Sequence, residues 1–71
     1  MKKRRRVKLV REGRFMAEVD VDLIESEDNW APYLSLEDAY RLDDVREALR
    51  RDDVIAAARL SRVYTLKPLA G

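Results

Sequence analysis

Apolar and polar residues alternate from Phe15 to Ile24. Phe15, Ala17, Val19, Val21 and Leu23 share one parity; Met16, Glu18, Asp20, Asp22 and Ile24 share the other. A period of two over about ten residues predicts a strand with one buried face, because successive side chains leave a pleated backbone on opposite sides. Upstream, RRRVKLVR predicts a second strand, with Val7 and Leu9 on one face and Arg4, Arg6, Lys8 and Val10 on the other. Glu12-Gly13 supplies the turn between them, since glycine reaches positive φ without a Cβ penalty.

Parity then predicts the register. A plain two-residue turn at Glu12-Gly13 sets Lys8 opposite Ala17 and mixes the two faces. A three-residue loop, or a bulge, sets Val7 opposite Val19 and Leu9 opposite Ala17 on the core side. Lys8 then faces Glu18, Arg6 faces Asp20 and Arg4 faces Asp22 on the other side, with Arg5 leaning to the core side near Val21. A one-residue slip would move every side chain to the wrong face. Each opposite-charge pair contributes roughly 0.2–1 kcal/mol, and three in a row oppose slippage.

After a polar turn at EDNW, the segment WAPYLS is expected to be a short edge strand, because Pro32 cannot donate to a ladder. Trp30 and Tyr33 there either cover the open face of the hairpin or anchor a partner, as aromatics do at interface hot spots. Ser35 opens SLED, a capping box with Asp in the place of Glu or Gln. Leu36, Ala39, Leu42, Val45 and Leu49, flanked by Tyr40 and Ala48, form the apolar stripe of a helix running to about Arg51. Glu37–Arg41 and Glu47–Arg51 are favourable i,i+4 pairs. Asp52 or Asp53 caps a second helical stretch over 54–62. Propensity leaves open whether residues 36–62 make one bent helix or two. VYTLKPL returns to extended chain, and Pro68 implies a strand end or an edge.

The expected class is therefore α+β, in one small domain spanning 1–71. Its parts are a β-hairpin (1–26), an edge segment (27–34), a helical region (35–62) and a C-terminal strand or tail (63–71). A chain of 71 residues buries only about 60% of its unfolded surface, so a second subunit or partner is expected to add stability. A homo-oligomer built by pairing exposed edge strands is one way to obtain it.

Composition narrows the chemistry. Cysteine and histidine are both absent, which removes disulfides, thiolate zinc sites and the commonest general base. No apolar stretch approaches the ~18 residues of a membrane span, so a cytoplasmic protein is expected, with no membrane contact. The near-neutral total of +1 hides a polar layout. Residues 1–14 carry eight cations against Glu12, residues 15–44 carry ten acids against Arg41, and the remainder is again basic.

Three catalytic or binding signatures fail on inspection. EVDVD puts three carboxylates on one strand face, but calcium wants six to eight converging oxygens, whereas a strand sets alternate residues about 7 Å apart in a row. A two-carboxylate hydrolase needs a cleft that raises one pKa, and a hairpin face offers none. The two helices do not suit a DNA-reading helix-turn-helix: residues 54–62 are alanine-rich, offering Arg59, Ser61 and Arg62, and the helix before them starts acidic. No catalytic residue, cofactor or metal is therefore expected.

The stretch NWAPYLSLEDAYRLDDVREALRRDDVIAAARL, with the hairpin before it and VYTL after, resembles small bacterial antitoxins of type II toxin–antitoxin modules. The resemblance covers most of the chain and implies a non-enzymatic protein that binds and neutralises a small basic toxin. No ribbon-helix-helix or helix-turn-helix is evident, so operator binding is not carried over. The residues compatible with such a role are Trp30, Tyr33, Leu34 and Tyr40 as an apolar centre, with Asp43 and Asp44 attracting a cationic partner. The alternative is a nucleic-acid-binding protein using Lys2, Lys3, Arg5, Arg11 and Arg14 for phosphate neutralisation.

Overall fold

Residues 2–25 and 31–69 are described by a computed structural model, and they build an α+β fold. Strands β1 (Lys2–Glu12) and β2 (Phe15–Glu25) form the hairpin, followed by β3 (Tyr33–Leu34). Helices α1 (Leu36–Arg50) and α2 (Val54–Leu60) come next, and β4 (Arg62–Thr65) ends the order. β2 is the central strand. β1 runs antiparallel along one side of it, while β3 and β4 share the other side at opposite ends.

β2 follows its alternation closely: Phe15, Ala17, Val19 and Val21 are buried, and the residues between them are half-buried. Val45, Ala48 and Leu49 of α1 and Ala57 of α2 close over this face, with Leu34, Leu42, Ala56 and Val63 packed at the margin.

The hairpin register differs from the expected one. Glu12 pairs with Phe15, so the loop is Gly13-Arg14, and Val10 lies opposite Ala17, Lys8 opposite Val19 and Arg6 opposite Val21. Gly13 takes φ +57°. Positive φ at the first position of a two-residue loop suits the right-handed twist of a hairpin and favours glycine there. Val7 and Leu9, expected in the core, thus lie on the outer face, 48% and 62% exposed. The physical reason is the reach of the helix. Register is strongly specified only where a face is buried, and among β1 residues Val10 is the one that is buried. The turn and Val10 set the parity, and the rest of the strand follows it.

Ser35 caps α1, its Oγ accepting the Asp38 N–H at 3.1 Å. The other half of the box is diverted. Asp38 is 6% exposed, and its Oδ2 accepts the backbone N–H of Asp22 at 2.8 Å. Arg41 donates from Nη1 to the Asp20 carbonyl at 3.1 Å and to Asp38 Oδ1 at 3.0 Å. β3 covers residues 23–24 of β2 and β4 covers 15–18, so these two side chains serve the backbone edge in the gap between them. Arg41 is accordingly paired with Asp38 rather than Glu37, and Arg50 rather than Arg51 pairs with Glu47. With Asp38 on its inner side, α1 turns Leu36 (67% exposed) and Tyr40 (59%) outward instead of into the stripe.

The helical region is two helices. Arg51 ends α1, and Asp52 adopts φ +59°. The N–H groups of Asp52 and Asp53 donate to the carbonyls of Leu49 (3.1 Å) and Ala48 (2.8 Å). That is the paired bonding of a Schellman end, with Asp where glycine is usual. Asp53 then caps α2, its Oδ1 accepting the Ala56 N–H at 3.1 Å. α2 stops at Leu60, two residues short of the expected end, because Ser61 is extended and Arg62 is taken into β4.

The result is flat and long, 49 × 27 × 14 Å, with a radius of gyration of 14.3 Å against about 11 Å for a compact chain of this length. One sheet face carries the helices, and among the described residues nothing covers the other. No helix among the described residues is long and apolar enough to cross a membrane.

Candidate functional site

The residues expected at a partner interface do not converge on one patch. Tyr40, Asp43 and Asp44 share the outward face of α1 and are all exposed, joined by Leu36 and Glu47 at helical spacing. This is a helix surface with two solvent-facing apolar side chains bordered by carboxylates. Leu34 is half-buried and packs against the core, opposite Leu23. Tyr33 projects from the other side of β3, opposite Ile24, and is 51% exposed. Trp30 lies outside the described residues. Leu34 thus lies between core and surface, and Leu36, expected in the core, joins the surface instead.

The cations of β1 are divided by what they touch. Arg5 lies on the outer face, not near the core, and pairs with Asp22 at 3.0 Å. Arg4 pairs with Glu25 at 3.3 Å rather than with Asp22. Arg14 stacks over the Phe15 ring, 5.0 Å from its centroid. Lys2, Lys3, Lys8 and Arg11 are exposed. Arg6 donates to the carbonyl of Arg5 at 3.2 Å.

The expected pairs Lys8–Glu18 and Arg6–Asp20 do not form, because the register puts their partners on opposite faces and β4 supplies better ones. Arg62 holds Asp20 by two bonds, Nη2 to Oδ1 at 2.9 Å and Nη1 to Oδ2 at 3.0 Å, a fork-on-fork arrangement. Its Nε donates to Glu18 Oε1 at 3.1 Å, and Tyr64 Oη donates to the same oxygen at 2.7 Å. The Tyr64 hydroxyl, and then Arg62, hold the Glu18 carboxyl below its ordinary range. The Arg62 hydrogen bonds do the same for Asp20. In return, donation to Glu18 pushes the Tyr64 phenol up, and the two carboxylates raise Arg62.

This four-residue cluster was missing from the sequence expectation. A signal for it existed: in RVYT, Val63 turns in, so Arg62 and Tyr64 share the opposite parity and suit the acids of β2. Chemically the cluster is a pinned, ion-paired surface, with both Asp20 oxygens and Glu18 Oε1 engaged.

Comparison with known protein families, with curated proteins and with solved structures finds no match for this chain.

Proposed function

We propose that this chain is a cytoplasmic, non-enzymatic protein-binding module that captures and neutralises a small basic protein, in the manner of an antitoxin. The observation that carries this reading is the outward face of α1, where Leu36 and Tyr40 stand exposed beside Asp43 and Asp44. Exposed apolar groups rimmed by carboxylates suit a cationic partner: the acids steer the encounter, and the aromatic supplies the desolvated centre. The flat, elongated shape supports the same reading, since a partner would cover surface that so small a chain leaves open.

The test begins beside the gene. A reading frame for a small basic protein is expected next to it, with expression of that protein alone arresting growth and co-expression of this chain restoring it. Tyr40→Ala is expected to weaken the complex by about thirtyfold, near 2 kcal/mol, and Asp44→Arg by slowing association. A neighbouring protein that neither binds this chain nor impairs growth would end the proposal.

The second reading, nucleic-acid binding through Lys2, Lys3, Arg5, Arg11 and Arg14, draws support from the exposure of Lys2, Lys3 and Arg11. It is weakened where Arg5 is engaged by Asp22 and Arg14 by the Phe15 ring.

A further inference from the structure

β1 is an eleven-residue strand that pairs with β2 on one side and, among the described residues, with nothing on the other. In a hairpin closed by a two-residue loop, the residues flanking the loop form a hydrogen-bonded pair, and every second pair repeats it. Glu12 and Phe15 are that pair, so Val10, Lys8, Arg6 and Arg4 bond toward β2. The N–H and C=O groups of Lys3, Arg5, Val7, Leu9 and Arg11 therefore point to the free side, where the Arg5 carbonyl accepts from the exposed Arg6 guanidinium and the added strand would replace that bond. Such a row is a template for another strand.

We propose that this edge accepts an extended acidic segment of a partner protein as an added strand. The occupant follows from charge. Within Lys2–Glu12, seven cations stand against one acid, and they project on both faces: Lys2, Arg4, Arg6 and Lys8 on the helix side, Lys3, Arg5 and Arg11 on the outer side. An added strand alternates its own side chains to the same two faces, so acids at both parities meet cations. Val7 and Leu9, exposed side by side between Arg5 and Arg11, would be covered by a matching apolar pair.

A second copy of this chain fits poorly. Two-fold pairing about Val7 sets Arg6 against Lys8 and Lys3 against Arg11, and like charges directly opposite are destabilising. A phosphate backbone also fits less well. It follows one surface, whereas these cations diverge to two, and on the outer face Glu18, Asp20 and Asp22 lie directly beside β1. The cationic edge blocks self-pairing while leaving acidic strands admissible, which is how specificity is built by repulsion. This surface is distinct from the α1 face, so either proposal can fail without the other.

The probe is a glutamate-rich peptide with acids at both parities and one valine pair spaced i, i+2 to meet Val7 and Leu9, titrated into the full chain. Controls are the same peptide N-methylated at alternate amides, a lysine–valine peptide and an oligothymidylate. Binding of the glutamate peptide is expected, with a loss of about tenfold or more on N-methylation, which keeps the charge and removes the backbone donors. Val7→Pro is expected to cause a similar loss, because the Val7 N–H faces the free side and a proline there spares the β1–β2 ladder. Should that variant unfold, the N-methylated peptide still decides. Equal affinity for the N-methylated peptide, equal or tighter binding of the oligothymidylate, or self-association that the peptide fails to displace would each overturn the proposal.

Discussion

β1 and β2 are both eleven residues long and share one ladder, yet they belong to different parts of the molecule. β2 has neighbours on both edges and a helix layer over one face, so four of its residues are buried. Among the described residues, β1 has one neighbour and buries Val10. Alternation is present in both sequences, but it is enforced only in β2, where a wrong parity would put carboxylates into the core. In β1 the same pattern carries little free energy, and the turn decides which side chains face inward. An alternating stretch is thus evidence of a strand, and evidence of a buried face only where something is available to cover it.

The largest effect expected from this contrast compares two apolar truncations. Val19 is 0% exposed, and Val19→Ala is expected to cost roughly 1.5–3 kcal/mol from lost transfer energy and the cavity left behind. Leu9 is the larger side chain but 62% exposed, so Leu9→Ala is expected to stay within about 0.5 kcal/mol. Urea denaturation midpoints of the two variants measure the difference. Equal losses would mean that the outer face of β1 is covered in solution, and the contrast between the strands would fail.

A second test concerns the free stretch of β2 between β3 and β4. Asp38→Ala leaves the Asp22 N–H without its acceptor and the Arg41 guanidinium with the Asp20 carbonyl alone, an expected cost of about 1–3 kcal/mol for a buried polar group left unpaired. Asp38→Asn keeps an oxygen that can accept from Asp22 and is expected to cost less. Hydrogen exchange at the Asp22 amide separates this from general destabilisation, since it should accelerate in the alanine variant beyond the global change. An Asp22 amide exchanging no faster than its neighbours would show that β2 is held by its other contacts.

The sequence carried much of the fold: the parity of β2, the Ser35 cap, the edge position of Tyr33–Leu34 and the return of the chain to an extended segment were all legible in residue pattern. Three features were not, for physical reasons. The register depended on whether the loop held two residues or three, a choice that alternation in a half-covered strand cannot make. The burial of Asp38 was visible as a carboxylate at helical spacing from Leu42, Val45 and Leu49, but the Asp22 N–H that it serves is distant in sequence. The partners of Glu18 and Asp20 come from residues more than forty positions away. Charge matching alone favoured the nearer cations of β1. For the candidate site, Asp43 and Asp44 were legible as the exposed side of a helix, while Leu36 and Tyr40, read with the apolar stripe, lie outward because Asp38 takes the inner side of α1; Leu34, read as part of an interface, is half-buried against the core.

The smallest expected effect asks which cations hold the acids of β2, and its sign follows from linkage. Glu18 and Asp20 have folded-state pKa values below their ordinary 4.5 and 3.8, so the unfolded chain binds protons more readily in acid. Their contribution is present above about pH 4.5 and is lost as pH falls through the depressed folded values. Tyr64 works in the other direction. Its phenol is raised above 10.0 by donation to Glu18, so that bond contributes below pH 10 and is lost as the phenol ionises above it. Arg62→Gln is therefore expected to flatten the decline in stability below pH 4.5, and Tyr64→Phe to flatten the alkaline decline as well as part of the acid one. Lys8→Gln, the same neutralisation on β1, is expected to leave the acid limb unchanged, because Lys8 faces Val19 and not Glu18. These groups are exposed and screened, so the changes will be modest. Urea midpoints measured from pH 3 to pH 11 would reverse the assignment if Lys8→Gln, rather than Arg62→Gln, flattened the acid limb, for that would place the β1 cations over the acids of β2 and restore the register in which Val7 faces Val19.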